Sequence, residues 1–200
     1  MLAEFPVEYE IDAQDRLARV NTGWYDEART SFDARLQDPR LIGRGLWDLI
    51  RESTTQQLYE PLIARVRRHA VRVDFAFRCD TPDERRLLRM RVVPKPNHHV
   101  AFQVRLLQSQ FREPVELLRI DRASSDSFIR MCGWCKRLPI AGGFWVEVEE
   151  ALQSFGLFDA DALPAISHGI CPECREKVTR GLLDDEWGVD NVICGVLPAA

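Results

Sequence analysis

Apolar and polar positions alternate through the first hundred residues. Val7, Tyr9 and Ile11 are spaced by charged residues, Asp12-Ala-Gln-Asp follows as a turn, and Leu17-Ala-Arg-Val resumes the extended pattern, so 6–21 reads as a hairpin. Asn21-Thr22 offers a cap for a helix carrying Trp24, Tyr25 and Ala28. Leu41 to Ile50 holds two glycines among apolar residues and reads as a turn leading into one helical turn. Ser53-Thr-Thr opens the clearest helix, with Leu58, Leu62, Ile63 and Val66 on one face and Arg65, Arg67 and Arg68 on or near the other. Pro61 inside it predicts a kink or a later start, because proline lacks the amide donor of a helix interior. Three strands follow. Val71, Val73, Phe75, Phe77 and Cys79 oppose Arg72, Asp74 and Arg78; Leu88, Met90 and Val92 alternate with arginines; Val100, Phe102, Val104 and Leu106 complete the set. The turns between them are Thr-Pro-Asp-Glu at 81–84 and Pro-Lys-Pro-Asn at 94–97. The order predicts an α+β fold, an antiparallel sheet with helices on one face.

From Gln108 to Phe128 the pattern weakens, and Phe111, Val115, Leu118 and Ile120 suggest a helical or irregular connector. Arg122-Ala-Ser-Ser-Asp-Ser is the best boundary, so the division expected is 1–108, a connector at 109–128, and a second module with a tail at 129–200. In that module Gly142-Gly-Phe-Trp is a tight turn into an extended piece. Val148, Leu152 and Phe155 predict a helix ending at Gly156. Pro172 belongs in the first turn of another helix. Trp187 and the stretch 192–196 are expected to dock the tail.

With Asp-x-x-Asp-Arg-Leu-Ala-Arg-Val-Asn at 12–21, Ile42-Gly-Arg-x-Leu-Trp at 42–47 and Phe-x-Phe-Arg-Cys-Asp at 75–80, the element order over about 5–108 resembles the PAS sensory fold. That resemblance implies a bacterial sensor that pairs with a protein partner or a second copy through the PAS-like sheet. It also allows a small ligand in a pocket among Trp24, Phe75, Met90 and Phe102, although these residues fit core packing equally well. Flavin photosensors of this fold carry an Asn-Cys-Arg motif, which is absent, so no flavin is expected. Haem is not expected either, since His69 ends an arginine-rich helix and His98 and His99 sit in a turn.

The chemistry of the chain is concentrated in two Cys-x2-Cys pairs, Cys132 with Cys135 and Cys171 with Cys174. A Cys-x2-Cys turn aims two sulfurs at one point, and a second such turn closes a tetrahedron around a divalent ion. The expectation is a structural zinc site, with a rubredoxin-type mononuclear iron as the chemical competitor. The intervening stretch 136–170 is long for a zinc ribbon and must fold as a small subdomain. A knuckle followed by a helix-borne pair would be treble-clef-like. His168 is a fifth candidate donor, read as an outer partner or a cap. Lys136, Arg137 and Arg175 stand next to the pairs, where they would offset some of the charge of about −2 that four thiolates leave on a dication. Trp134 and Trp145 either shield the site or fill a small core. The four cysteines complete the coordination, so metal-dependent hydrolysis is not expected. Over about 131–178, Cys-x2-Cys-Lys, Gly-Phe-Trp and Ser-His-Gly-Ile-Cys-Pro-x-Cys are together similar to a cysteine-bearing tail of bacterial signalling proteins, where it commonly follows a PAS or receiver domain.

Composition narrows the setting. Two hundred residues, 46% hydrophobic and 29% charged, suit an ordinary domain with a smaller companion. The net charge of −4 argues against a general nucleic-acid binder. No apolar run reaches membrane-spanning length and the first residues lack a signal-peptide core, so neither a membrane nor secretion is expected. Six cysteines, four in metal-like pairs, suit a reducing cytoplasm. Cys79 and Cys194 read as plain buried thiols. Arg85, Arg86, Arg89 and Arg91 read as a solvated sheet face, with an anion or partner site as the sharper alternative. No P-loop, glycine-rich nucleotide loop or nucleophile–base pairing is legible, so no enzyme is expected. The expected function is a cytoplasmic bacterial sensor or adaptor acting by protein–protein contact, with structural zinc holding its tail rigid. A redox- or metal-responsive zinc switch and a nucleic-acid-binding regulator are the alternatives.

Overall fold

The computed structural model describes residues 5–30, 34–50, 53–119, 122, 124–157 and 162–183. Its main sheet is antiparallel and five-stranded, ordered β2-β1-β5-β4-β3, from β1 (Val7–Ile11), β2 (Leu17–Val20), β3 (Val73–Arg78), β4 (Glu84–Pro94) and β5 (Val100–Phe111). Between β2 and β3 come α1 (Thr22–Thr30), α2 (Leu46–Leu49) and α3 (Ser53–His69). Tyr9 of β1 meets Trp24 of α1 edge-on and stacks on Phe102 of β5, and Phe102 also faces Tyr59 of α3. Helices α1 and α3 therefore cover the same face of the sheet.

Local chemistry sets these elements as the patterns predict. The Asp12 carboxylate accepts from the amides of Gln14 and Arg16, both at 2.9 Å, which fixes the β1–β2 turn. The Asn21 side-chain oxygen accepts from the Trp24 amide at 3.0 Å, capping α1, and from the Glu8 amide at 3.0 Å, tying that cap to β1. Gly23 is required there, since a Cβ would lie 1.9 Å from the Pro6 carbonyl oxygen. Helix α3 starts at Ser53 and continues through Pro61, so the helix does not begin at the proline. Burial of Leu62, Ile63 and Val66 against the sheet carries it past the missing amide donor.

The far face of the sheet departs from expectation. Asp74, Ala76 and Arg78 of β3 are as buried as Val73 and Phe75. The Asp74 carboxylate is shared by Arg72 at 2.7 Å, Arg89 at 2.8 Å and Arg91 at 3.1 Å, because a buried carboxylate must be charge-paired. The guanidinium carbons of Arg91 and Arg105 lie 4.4 and 5.4 Å from the centre of the Phe5 ring. Arg85 holds Glu149 at 2.8 Å, while Arg86, on the face that α1 covers, is buried and holds Glu27 of that helix at 2.7 Å. The arginine cluster is thus a paired network laid over the sheet, not a solvated face.

The expected connector at 109–128 is entered by strand from both sides, since β5 extends to Phe111 and β6 (Ser124–Cys132) begins before 128. Val115 and Leu117 between them are buried. The remaining elements are β7 (Leu138–Pro139), β8 (Trp145–Val146), α4 (Val148–Phe155), β9 (Leu163–Gly169) and α5 (Pro172–Leu183). Strands β6 and β9 pair in parallel, β7 and β8 antiparallel. Gly142 and Gly143 turn with φ of 82° and 81° into β8, as the sequence predicts. Gly156 ends α4 in the left-handed region, and the Leu157 amide closes on the Leu152 carbonyl at 3.0 Å. Val148 and Leu152 are buried, but Phe155, placed on the same face by periodicity, is 42% exposed. One apolar core runs from Val66, Phe75 and Phe102 into Cys132, Trp134, Cys171, Cys174 and Val178, so the cysteine module and the sheet are packed as a unit.

Candidate metal centre

Both cysteine pairs lie where a chain end of regular structure meets a turn. Strand β6 ends at Cys132, paired in register with Gly169 at the end of β9, and the Gly133 amide donates to the Gly169 carbonyl at 2.9 Å. The two turns are thereby stitched to each other. After each first cysteine the chain closes a helical turn: the Lys136 amide donates to the Cys132 carbonyl and the Arg175 amide to the Cys171 carbonyl, both at 2.9 Å. Lys136 takes φ 63° to complete the first turn. Cys171 precedes α5 and Cys174 lies in its first turn, with Pro172 opening the helix as predicted.

The four sulfurs converge. Cys132, Cys135, Cys171 and Cys174 are all buried, and their Sγ atoms all lie within 4.8 Å of one another. Sulfurs arranged tetrahedrally at a zinc–sulfur distance of about 2.3 Å would be about 3.8 Å apart. The Cys135–Cys171 sulfur separation is 3.8 Å. Backbone amides point at the sulfurs as well, Cys171 N to Cys132 Sγ at 3.4 Å and Cys174 N to Cys171 Sγ at 3.3 Å. Such donors and the α5 N-terminus favour thiolate over thiol. The neighbouring cysteines acting as donors hold the Cys132 thiol well below its ordinary range; Cys132 in turn raises Cys171, but Cys135, Cys174 and the Cys174 amide outweigh it and leave Cys171 lowered. Cys135 is pushed up, because its ionised form would face the Cys132 thiolate. Four thiolates at this spacing repel one another strongly, and a dication at their centre removes the conflict. The donor set therefore fits a closed, four-sulfur metal site.

Candidate neighbours fall into place unevenly. His168 pairs in register with Met131 and is not among the converging donors. Arg137 reaches Glu147 at 3.5 Å and Glu173 at 3.3 Å, Lys136 donates to the Gly133 carbonyl at 3.1 Å, and Arg175 is exposed. Trp134 is 5% exposed and packs on Phe75 with ring centres 4.8 Å apart. Its ring nitrogen donates to the Ala76 carbonyl at 2.8 Å, and its carbonyl accepts from the Arg78 amide at 2.7 Å. The first cysteine turn thus covers the open edge of β3. Trp145 packs on the same core from its rim.

A charge network across this junction was not legible in the sequence. Arg78, expected on a solvent face, is fully buried; it pairs with Asp80 and, at 3.1 Å, with Glu147 at the head of α4. These acids more than offset the burial that would weaken the guanidinium's hold on its proton, so the Arg78 pKa is raised. Arg112 joins Asp80 at 3.5 Å to Glu149 at 3.1 Å. The alternation of β3 gave the direction of Arg78 correctly; what covers it comes from residues 147–149, too distant for periodicity to show.

Other candidates are structural in their surroundings. Phe75, Met90 and Phe102 are core residues, and the Trp24 ring nitrogen donates to the Leu36 carbonyl at 2.9 Å. A cavity of about 220 Å³ opens under α1, lined by Trp24, Phe77, Leu88 and Val104 and not by Phe75, Met90 or Phe102. His69 and His98 are exposed, whereas His99 is partly buried with its Nδ1 2.8 Å from Glu10. Cys79 is half-buried, not fully, with the Arg86 guanidinium 3.8 Å from its sulfur. Cys194 and the tail residues 184–200 lie outside the described residues. Among the described residues no helix is long and apolar enough to cross a membrane. No protein-family model matches the chain, and a search of characterised proteins finds no significant match.

Proposed function

We propose that this chain is a bacterial cytoplasmic signalling protein, a sensor or adaptor, in which structural zinc on Cys132, Cys135, Cys171 and Cys174 fixes a treble-clef-like module against a PAS-like sheet. The observation that carries the reading is the convergence of four buried sulfurs within 4.8 Å of one another, with Cys135 and Cys171 at the 3.8 Å of a tetrahedral edge. A closed set of thiolates suits scaffolding better than catalysis, so the reading includes no enzymatic step. The element order through β5 supports the PAS-like part, being the order that carries the sequence resemblance.

Output would pass through protein contact. Among the described residues β5 has no strand partner on its β1 side past Val104, and Leu106, Leu107 and Phe111 are 50%, 41% and 81% exposed. That is an apolar, uncharged strand end suited to a partner or a second copy. Sedimentation of the zinc-loaded chain over a range of concentrations, beside Phe111→Asp, tests the second-copy version. Concentration-dependent association that is lost in the variant supports it, and a monomer throughout leaves a different protein as the partner.

A further inference from the structure

A cavity of about 130 Å³ lies where the cysteine module meets the sheet. Tyr59 of α3, Phe75 and Phe77 of β3, and Trp134 of the first cysteine turn supply its aromatic walls. A dry cavity of roughly this size, about 150 Å³, accommodates one benzene ring, and aromatic walls favour edge and offset contacts with such a ring. Lys136 also lines the cavity. Among the described residues its ammonium has one acceptor, the neutral Gly133 carbonyl at 3.1 Å, while the adjacent Arg137 takes both Glu147 and Glu173. An aromatic chamber lined by a lysine whose ammonium has, among the described residues, no carboxylate partner is complementary to a ring bearing one negative charge.

We infer that this cavity binds a monocyclic aromatic carboxylate, the ring among Tyr59, Phe75, Phe77 and Trp134 and the carboxylate on the Lys136 ammonium. The site shares Phe77 and Cys79 with the space under α1 but differs from it in having Gly133, Trp134 and Lys136 of the first cysteine turn in its wall. It rests on the metal reading in that the metal would hold Gly133, Trp134 and Lys136 in place. A ligand there touches the sheet and the module at once, so its binding stabilises their junction by mass action, which gives the proposed sensor an input.

Benzoate is the probe, titrated into the zinc-loaded full chain while the Trp134 indole and Gly133 amide signals are followed by NMR and zinc is quantified in the same sample. The expected result is saturable shifts at about millimolar concentration, the range open to so small a ligand. Lys136→Met should weaken binding by about tenfold or more and keep its zinc. Gly133→Ala should fold, since its methyl would meet Gly169 O and Thr55 Oγ1 at 3.7 and 3.8 Å, and should bind more weakly because the cavity is smaller. Benzyl alcohol, with the same ring and no charge, should bind less well than benzoate. Full zinc with no saturable shift overturns this inference and leaves the metal reading intact, as does benzoate binding that Lys136→Met does not change. Absence of zinc with benzoate still bound overturns the metal reading and supports the cavity.

Discussion

The Trp134 ring nitrogen donates to the Ala76 carbonyl at 2.8 Å, so a residue placed between two of the four converging cysteines in sequence completes the edge of the main sheet. Trp134→Ala removes that bond and a buried indole packed on Phe75. The expected loss of stability is about 3–5 kcal/mol. Denaturant unfolding followed by far-ultraviolet circular dichroism measures it. The sequence division expects residues 1–108 to fold without the tail and loss of a cysteine to unfold mainly 129–180. The shared core predicts one cooperative transition for the whole chain, and a lower midpoint for a chain ending at Phe111 than for the full chain. Two separated transitions in the full chain would favour independent modules.

The junction also depends on Arg78. Arg78→Met leaves the buried Asp80 carboxylate with Arg112, at 3.5 Å, as its remaining ion-pair partner among the described residues, and the expected cost is about 3–5 kcal/mol. Glu147→Gln should cost less, since Arg78 keeps Asp80 and the Glu147 side chain is 18% exposed. Equal losses in the two variants would mean that Arg78 acts mainly through Glu147.

Acid should weaken the sheet at Glu10. Partial burial pushes its carboxyl up, but the His99 and Arg19 contacts outweigh this and hold it below the ordinary value of 4.5. A carboxylate with a lowered folded-state pKa adds stability above its unfolded value, and that stability is lost as pH falls through the folded value. The stability difference between wild type and Glu10→Gln should therefore be largest above about pH 5 and shrink below about pH 4. Denaturation midpoints measured across that range test it, and a difference that grows on acidification would contradict it.

Burial of all four sulfurs, with Trp134 packed beside them, predicts slow oxidation. Zinc should stay bound under mild peroxide, because reactivity requires access as well as thiolate character. A chromogenic chelator follows release while association is measured in parallel. Rapid, reversible release coupled to changed association would replace the scaffold by a redox switch.

Much of the fold was legible because its determinants are local. Val7, Tyr9 and Ile11 alternate with charge, Asn21 caps α1, and Gly156 ends α4, each within a few residues of its effect. The convergence of the four cysteines was legible too, since Cys-x2-Cys constrains geometry over four positions. What periodicity missed depends on distant neighbours. Asp74 and Arg78 look solvent-facing until Arg89, Arg91 and Glu147 are placed over them. Pro61 looks like a break until burial of Leu62 and Val66 outweighs one missing hydrogen bond. Phe155 keeps its helical phase with Leu152, yet the core ends before reaching it.

The central claim is a four-cysteine zinc centre that joins module to sheet. Native mass spectrometry of the purified chain, compared with the same chain sprayed under denaturing conditions, reads metal identity and stoichiometry directly. The account predicts one zinc per native chain, lost in Cys171→Ser together with cooperative unfolding that includes the main sheet, because binding energy at such a site is also folding energy. Iron in place of zinc, or a folded native chain carrying no metal, would contradict it.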